Sequence, residues 1–500
     1  MNKRIVFHTV GLILMIESGL LLLPCLVALI YSDPNGKALF LSAVITFAAG
    51  LCLRAIRTPD STVYAREGFA IVAFSWILMS VFGTLPFLLS GAIPNFLDAF
   101  FETVSGFTTT GSTVLTEVEP LGYALLFWRS FTHWVGGMGV LVLVLVVLPL
   151  GGQHNIHIVR AEVPGPTSDK LVPKMRSSAR ILYEIYFVMT LLEIILLRCG
   201  GMPLFDCFIN AFGSAGTGGF SNHTASVGYY RDLYSEMVIG VFMLLFGVNF
   251  NLYYLLLIHH VKEVFRSEEL RTYLGIVVFA VLTIGWNIRA DYGSYVEALR
   301  YSFFQVSAII TTTGFTTANF DLWPQYSRML LLLLMFIGAC ASSTGGGIKV
   351  SRIILLFRTA HRGVRQSLRP RTVATVHMDG RPVEENVLTA CCNYLLCYVF
   401  IAAASLLLIS LDNFSFDTNF ASMVSCLNNI GPGLDATGPV GSFGGYSPFS
   451  KLVLCFDMLA GRLEIIPMLA IFAPSVWKNN ARRLPHGAKI VRAGANEKYL

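Results

Sequence analysis

The chain has 500 residues, of which 54% are hydrophobic and 13% charged, with a net charge of +6 and a mean hydropathy of +0.64. Soluble globular domains carry about a quarter charged residues, so this composition excludes that class. Apolar runs of the roughly 20 residues needed to cross a bilayer recur from end to end, which predicts an all-α protein embedded in the lipid bilayer; the basic excess is spread along the chain and marks no nucleic-acid partner.

Ten apolar spans follow in order, at about 5–31, 37–56, 67–91, 121–149, 180–199, 233–260, 271–290, 325–359 (interrupted), 386–411 and 449–473. The first, opened by Lys3 and Arg4, imitates a signal peptide, but Glu17 interrupts it and no small-residue cleavage site follows. It is expected to be a retained span. With an even number of crossings, most of the 36 basic residues share one side, among them Arg54, Arg66, Arg180, Arg266, and the runs Lys349 to Arg381 and Lys478 to Lys498. The acidic Asp33, Asp98, Glu119, Asp206, Asp321 and Asp435 fall opposite. By the positive-inside rule the basic side, with both termini, is the cytoplasm.

Four polar pieces, too short to cross, lie between spans: Pro94 to Thr113, Pro203 to Phe220, Ser294 to Phe315 and Asp417 to Gly433. Each opens on a helix-initiating residue, carries aromatics at helical spacing (Phe96, Phe100, Phe101 and Phe107 in the first) and breaks into a Gly-centred turn. The turns are Thr109-Thr110-Gly111-Ser112, Thr217-Gly218-Gly219-Phe220, Thr312-Thr313-Gly314-Phe315 and Asn429-Ile430-Gly431-Pro432, with central glycines 108, 95 and 117 residues apart. Irregular backbone at membrane depth survives only when buried in protein or lining a water-filled cavity. Four such pieces entering from the acid-rich side should therefore converge on one cavity. The implied organisation is two additional N-terminal helices (1–66), four pore repeats in fourfold pseudosymmetry (67–160, 161–265, 266–380 and 381–480) and a cytoplasmic tail (481–500).

One Gly-Thr turn is an ordinary loop; four at matching positions suit the dehydration of a monovalent cation. That task needs oxygen dipoles to replace the hydration shell without a full charge to trap the ion. Glycine permits the backbone conformations that aim carbonyls inward, and no carboxylate lies within any turn, which argues against a divalent-selective ring. Inside the eighth span, Gly345-Gly346-Gly347 should break the helix, since each glycine costs about 1 kcal/mol relative to alanine. Lys349 follows directly. The break is either a packing kink or a flexible loop beneath the turns that gates passage. Arg462, mid-way along the last span, is a functional candidate by position; it either raises the barrier to cations and meets that loop, or forms an ion pair with Glu464 or Asp457. Arg129 reads as structural. His154 and His157 have no neighbouring ligands, the ten cysteines lack metal or disulfide spacing, and no nucleotide-binding motif is present.

At these motifs the chain resembles the potassium transporters of the Trk/Ktr/HKT superfamily, and within it the TrkH branch. The resemblance is carried by Ser105-Gly-Phe-Thr-Thr-Thr-Gly111-Ser112, Phe127-Trp-Arg-Ser with Trp134-Val-Gly-Gly-Met-Gly139, Ala215-Gly-Thr-Gly-Gly-Phe220, Thr311-Thr-Thr-Gly-Phe315, Ser343-Thr-Gly-Gly-Gly-Ile-Lys349, Asn428-Asn-Ile-Gly-Pro-Gly433 and Gly461-Arg462. It covers the chain from residue 67 onward, and the two extra N-terminal spans also suit that branch. It implies a multi-pass protein of the cytoplasmic (inner) membrane of a prokaryote, a homodimer with one pore per protomer on a cytoplasmic ring of TrkA-like regulatory subunits. It implies K⁺ as the transported ion, with Rb⁺ tolerated, through the carbonyls just before and at each turn glycine. No cofactor is bound covalently, and any nucleotide (NAD or ATP/ADP) belongs to the partner subunit. In this superfamily serine in place of a turn glycine goes with sodium permeation, so Gly111, Gly219, Gly314 and Gly431 together imply potassium. The family's gate maps onto Ala341 to Lys349 and its pore arginine onto Arg462. Repeat two departs from the pattern at Gly218, which leaves its carbonyl register open by one residue.

The leading expectation is gated potassium uptake; the alternative is a Na⁺-permeable or Na⁺/H⁺-coupled K⁺ symporter of the same superfamily. A membrane-embedded enzyme would need nucleophiles or metal ligands facing a shared cavity, and the sequence offers no such cluster.

Overall fold

The computed structural model describes residues 2–56, 65–139, 175–371 and 374–477. Within them the chain is helical almost throughout, and the one sheet is a hairpin of His377–Met378 against Arg381–Pro382. The all-α membrane architecture expected from composition is the architecture found. His154, His157, the end of the 121–149 span and the tail beyond residue 477 lie outside the described residues.

Helices α1 (Lys3–Leu20) and α2 (Leu22–Ile30) form one apolar stretch that packs on α3 (Gly36–Arg54). Gly11 and Gly50 face each other there; a Cβ on either would press on the other's carbonyl oxygen, at 2.7 and 2.8 Å. Small residues let membrane helices approach this closely. Around the first polar piece lie α4 (Ala65–Gly83), α5 (Leu85–Ser90), α6 (Phe96–Phe107) and α7 (Tyr123–Gly137). Around the second lie α8 (Met175–Cys199), α9 (Leu204–Gly216), α10 (Leu233–Phe246), α11 (Phe250–Leu257) and the short α12 (Val261–Arg266). Around the third lie α13 (Glu268–Asn287), α14 (Tyr295–Ile310), α15 (Gln325–Phe336) and α16 (Val350–Leu368), and around the fourth α17 (Glu385–Ile409), α18 (Phe416–Asn428), α19 (Pro448–Arg462) and α20 (Ile466–Phe472).

Five stretches among the described residues are long and apolar enough to cross a membrane unaided: Lys3–Ile30, Gly36–Arg54, Arg66–Ser90, Glu268–Asn287 and Glu385–Asp412. The spans read at 233–260 and 449–473 as uninterrupted are each divided. Between α10 and α11 the chain turns by 91°, where Asn249 caps the new helix by accepting from the Asn251 N–H at 3.0 Å. Between α19 and α20 the break falls at Glu464 and Ile465, both with positive φ, 57° and 66°. The 325–359 span is interrupted as expected, by residues 337–349 between α15 and α16.

The four short helices α6, α9, α14 and α18 lie where the polar pieces were expected to hold helices. Side chains cap three of them: Asn95 accepts from Leu97 N–H at 2.9 Å, Ser294 from Glu297 N–H at 3.1 Å, and Ser415 from Thr418 N–H at 3.1 Å. Pro203 precedes the fourth. All four bury their C-terminal halves in the centre of the protein. Their C-terminal ends, which carry the negative pole of the helix dipole, therefore point at the Gly-centred turns.

Candidate ion-conduction site

The four turns meet in a closed ring. A Cβ on Gly111 would overlap the carbonyl oxygen of Gly218; one on Gly219, that of Thr313; one on Gly314, that of Ile430; and one on Gly431 would lie 2.8 Å from that of Thr110. Each turn glycine thus abuts the carbonyl preceding the next turn's glycine, in the order of the chain, and the fourth returns to the first. Only glycine fits that approach.

Backbone angles repeat around the ring. The first residues of the turns, Thr109, Thr217, Thr312 and Asn429, have φ of 55°, 57°, 58° and 57°, and the glycines Gly111, Gly219, Gly314 and Gly431 have 84°, 74°, 77° and 108°. The residue between each pair, Thr110, Gly218, Thr313 or Ile430, is not left-handed. In a strand successive carbonyls point to opposite sides; alternating the sign of φ turns them toward the same side, as a stack of cation-coordinating carbonyls requires. Three threonines with φ near 55° are outliers for a β-branched residue, with a strain of order 1–3 kcal/mol each that the surroundings must hold. In backbone angles the second turn corresponds to the other three: Thr217 matches Thr109, and Gly218 matches Thr110.

On the side of Ser112, Phe220, Thr316 and Pro432 the ring opens into a cavity of ≈ 100 Å³, whose lining also includes Arg129 and His223. Behind it, Arg129 is buried and paired with Glu102 at 2.6 Å. Glu102 also accepts from the Thr113 hydroxyl and the Val114 N–H, each at 3.0 Å, fastening the exit of the first turn. Arg129 reaches the second turn as well, donating to Ser221 O at 3.1 Å with its guanidinium 3.5 Å from the Phe220 ring centre. The structural role read for Arg129 is what these contacts describe, although Glu102 itself went unnoticed in the sequence.

On the opposite side lies the interrupted segment. The Gly346 N–H donates to Thr312 Oγ1 at 2.7 Å, the Thr217 hydroxyl donates to Thr344 O at 2.9 Å, and a Cβ on Gly345 would sit 3.0 Å from Thr311 O. Thr344 therefore meets the entry of the second turn, Gly345 and Gly346 press on the third, Gly346 and Gly347 adjoin the fourth, and Gly347 has φ of 66°. Lys349 is buried and folds back to donate to the Gly345 and Gly346 carbonyls. Arg462 does not take Glu464 or Asp457 as the partner offered in the sequence. Its guanidinium donates to Thr344 O at 2.7 Å and to Gly136 O and Gly137 O at 2.6 and 3.1 Å, joining the interrupted segment to the end of α7. Glu464 pairs instead with Arg352, and Asp457 accepts from Ser405 at 2.6 Å.

Two further anchors hold the segment, and sequence reasoning missed both. The carboxylate of Glu269 accepts from Ala341 N–H at 2.7 Å and Ser351 N–H at 3.1 Å, clamping both ends. The elbow between α10 and α11 supplies the rest: Cys340 N–H donates to Gly247 O and Phe250 N–H to Ser342 O, both at 3.0 Å. An acidic residue opening an apolar span is the signal by which Glu269 could have been found.

A ring of backbone carbonyls inside a bundle of membrane helices defines the class: an integral membrane transport protein. The family model for TrkH, described as a cation transport protein, matches residues 35–288 and 272–479. The chain belongs to that family, whose members are transporters and not enzymes. It is 38% identical over 488 residues to the Trk system potassium uptake protein TrkH of Salmonella typhimurium, covering 96% of this chain and all of that one. It is 34% identical to TrkG of Escherichia coli K12, with 96% and 99% covered. The crystal structure of the potassium transporter TrkH from Vibrio parahaemolyticus is similar with a TM-score of 0.85, at 33% identity, over 96% of this chain and 100% of that one.

Proposed function

We propose that the chain takes up potassium across the cytoplasmic membrane of a prokaryote, through a pore whose selectivity filter is the ring of four turns. The observation that supports this reading is the ring itself, with the same alternation of φ in every turn and a glycine wherever the next turn's carbonyl approaches. The names of the relatives, potassium uptake proteins, support the choice of ion. Carbonyl dipoles replace the water around a K⁺ or Rb⁺ ion, and four helix C-termini add favourable potential without a trapping charge.

The segment of Ala341 to Lys349, with Gly345, Gly346, Gly347 and Lys349, is the gate in this reading, because Thr344 and Gly346 together lie across the entries of three turns and Lys349 carries an ammonium, with the Arg462 guanidinium beside them. Two cationic groups below the filter raise the barrier to a cation until the segment moves. The four pore repeats and the cytoplasmic termini are expected from the spacing of the turns and the distribution of basic residues; the homodimer and the nucleotide-binding TrkA-like ring that would move the gate are the expectations brought by the resemblance.

The test is Rb⁺ and Na⁺ influx into proteoliposomes holding the purified chain, at controlled membrane potential and pH. Rb⁺ flux well above Na⁺ flux is expected; predominant Na⁺ flux would overturn the reading in favour of a sodium-permeable transporter.

A further inference from the structure

We propose that His133 is a positioning residue that holds the second turn of the ring in register and so sets the discrimination between potassium and sodium. The proposal rests on the reading of the four turns as an ion filter.

Repeat two is the odd quarter. Where the other turns have Thr110, Thr313 and Ile430, it has Gly218. Those three side chains fasten their turns. Thr110 Oγ1 lies 2.8 Å from Thr108 Oγ1 and accepts from Asn429 Nδ2 at 3.0 Å, Thr313 Oγ1 lies 2.8 Å from Thr311 Oγ1, and Ile430 is fully buried. Gly218 offers no such anchor, and two glycines in succession are the least restricted backbone a chain has.

An imidazole stands in for the missing side chain. The three atoms nearest to a Cβ built on Gly218 all belong to the His133 ring, close enough to overlap it. His133 is fully buried on α7. Its Nδ1 lies 2.8 Å from Gly106 O, and because a carbonyl only accepts, Nδ1 carries the hydrogen. The same carbonyl accepts from the Thr109 N–H at 3.1 Å, at the entry of the first turn. Phe220, directly after Gly219, lies against the imidazole with ring centres 4.2 Å apart. One side chain is therefore bonded to the first repeat and wedged against the backbone of the second, at the seam where Gly218 O abuts Gly111. Without the wedge the two-glycine turn is free to close around a smaller ion, and the advantage of K⁺ over Na⁺ falls whether it comes from cavity size or from carbonyl field strength.

The experiment compares Rb⁺ and Na⁺ influx into proteoliposomes for the full chain and five variants: His133→Ala, His133→Gln, Gly218→Ala, the double variant of His133→Ala with Gly218→Ala, and Gly314→Ser as an independent check of the filter. Emptying the wedge in His133→Ala should lower the Rb⁺/Na⁺ ratio about tenfold, equivalent to about 1.4 kcal/mol between the two ions, while total cation flux persists. His133→Gln keeps bulk and a donor for Gly106 O and should retain the ratio. Gly218→Ala should lose flux against His133 and regain both flux and ratio when His133→Ala makes room. A merely structural histidine would reduce folded protein and both fluxes together without altering their ratio. An unchanged ratio in His133→Ala, with a lowered one in Gly314→Ser, would overturn this proposal alone. No effect of Gly314→Ser would overturn the filter reading and this proposal with it. Should His133→Ala fail to fold, Gly218→Ala decides, and wild-type flux and ratio in that variant would refute the wedge.

Discussion

Replacing Glu269 by glutamine should raise ion flux in the absence of any regulatory partner. The Glu269 carboxylate is buried and accepts the Ala341 and Ser351 N–H groups, at the two ends of the interrupted segment. Hydrogen bonds to a charged group contribute about 1.5–3 kcal/mol each, so the clamp is worth about 3–6 kcal/mol to the position in which the segment presses on the turns. A neutral amide oxygen still accepts, at about half the strength. The loss is then about 1.5–3 kcal/mol, which shifts the balance between pressed and displaced segment roughly 10- to 150-fold. The assay is Rb⁺ uptake into proteoliposomes by the purified chain alone. Glu268→Gln is the matched control, because Glu268 pairs with the half-exposed Arg358 at 2.8 Å, and such pairs contribute about 0–1 kcal/mol. If the folded Glu269→Gln protein took up Rb⁺ no faster than the control, the clamp would have no part in closure.

Deleting Gly345 to Gly347 should likewise raise partner-free flux, since it removes the contacts on Thr312 and Asn428; unaltered uptake would mean the segment is only a kink. Gly111→Ser places a Cβ onto the Gly218 carbonyl and should weaken exclusion of Na⁺, measured as the Rb⁺/Na⁺ flux ratio, with an unaltered ratio counting against the filter assignment. The stability of the loop pair joined by Glu119 and Thr224 should depend on acid. Partial burial pushes the Glu119 carboxyl up, but hydrogen bonds from the Thr224 hydroxyl and N–H outweigh it and bring it down to about 2. The stabilisation is therefore present above the usual carboxylate value of about 4.3 and fades as pH falls toward 2. Thermal unfolding across that window should depend less steeply on pH in Thr224→Val than in the wild type, and equal slopes would discount the pair.

Periodicity and punctuation carried much of the site into the sequence. The four glycines and the triple glycine of the interrupted segment were legible because each breaks an apolar or helical pattern where unsupported backbone is costly. What could not be read is which surfaces meet. Arg462 was visible as a charge in a span, yet its partners are the carbonyls of Thr344, Gly136 and Gly137, and backbone acceptors leave no trace in composition. Glu102, His133 and Glu269 were passed over for a related reason: each is a single polar residue whose meaning lies in a neighbour far along the chain. The bend after α10 was hidden because an elbow of Gly247, Val248 and Asn249 does not lower the apolar average of the window that contains it.

On the proposed gating reading, that elbow constrains how the protein opens. Gly247 O and Phe250 N–H take their partners from Cys340 and Ser342, in the very segment proposed to move. Displacing it strands the four backbone groups of those two bonds, together with the N–H groups of Ala341 and Gly346, at a depth where lipid offers no replacement. Only water can take up those bonds, so the open form has to be a hydrated one. Its population then depends on water activity, and impermeant osmolytes that draw solvent from the cavity act as closers of the gate.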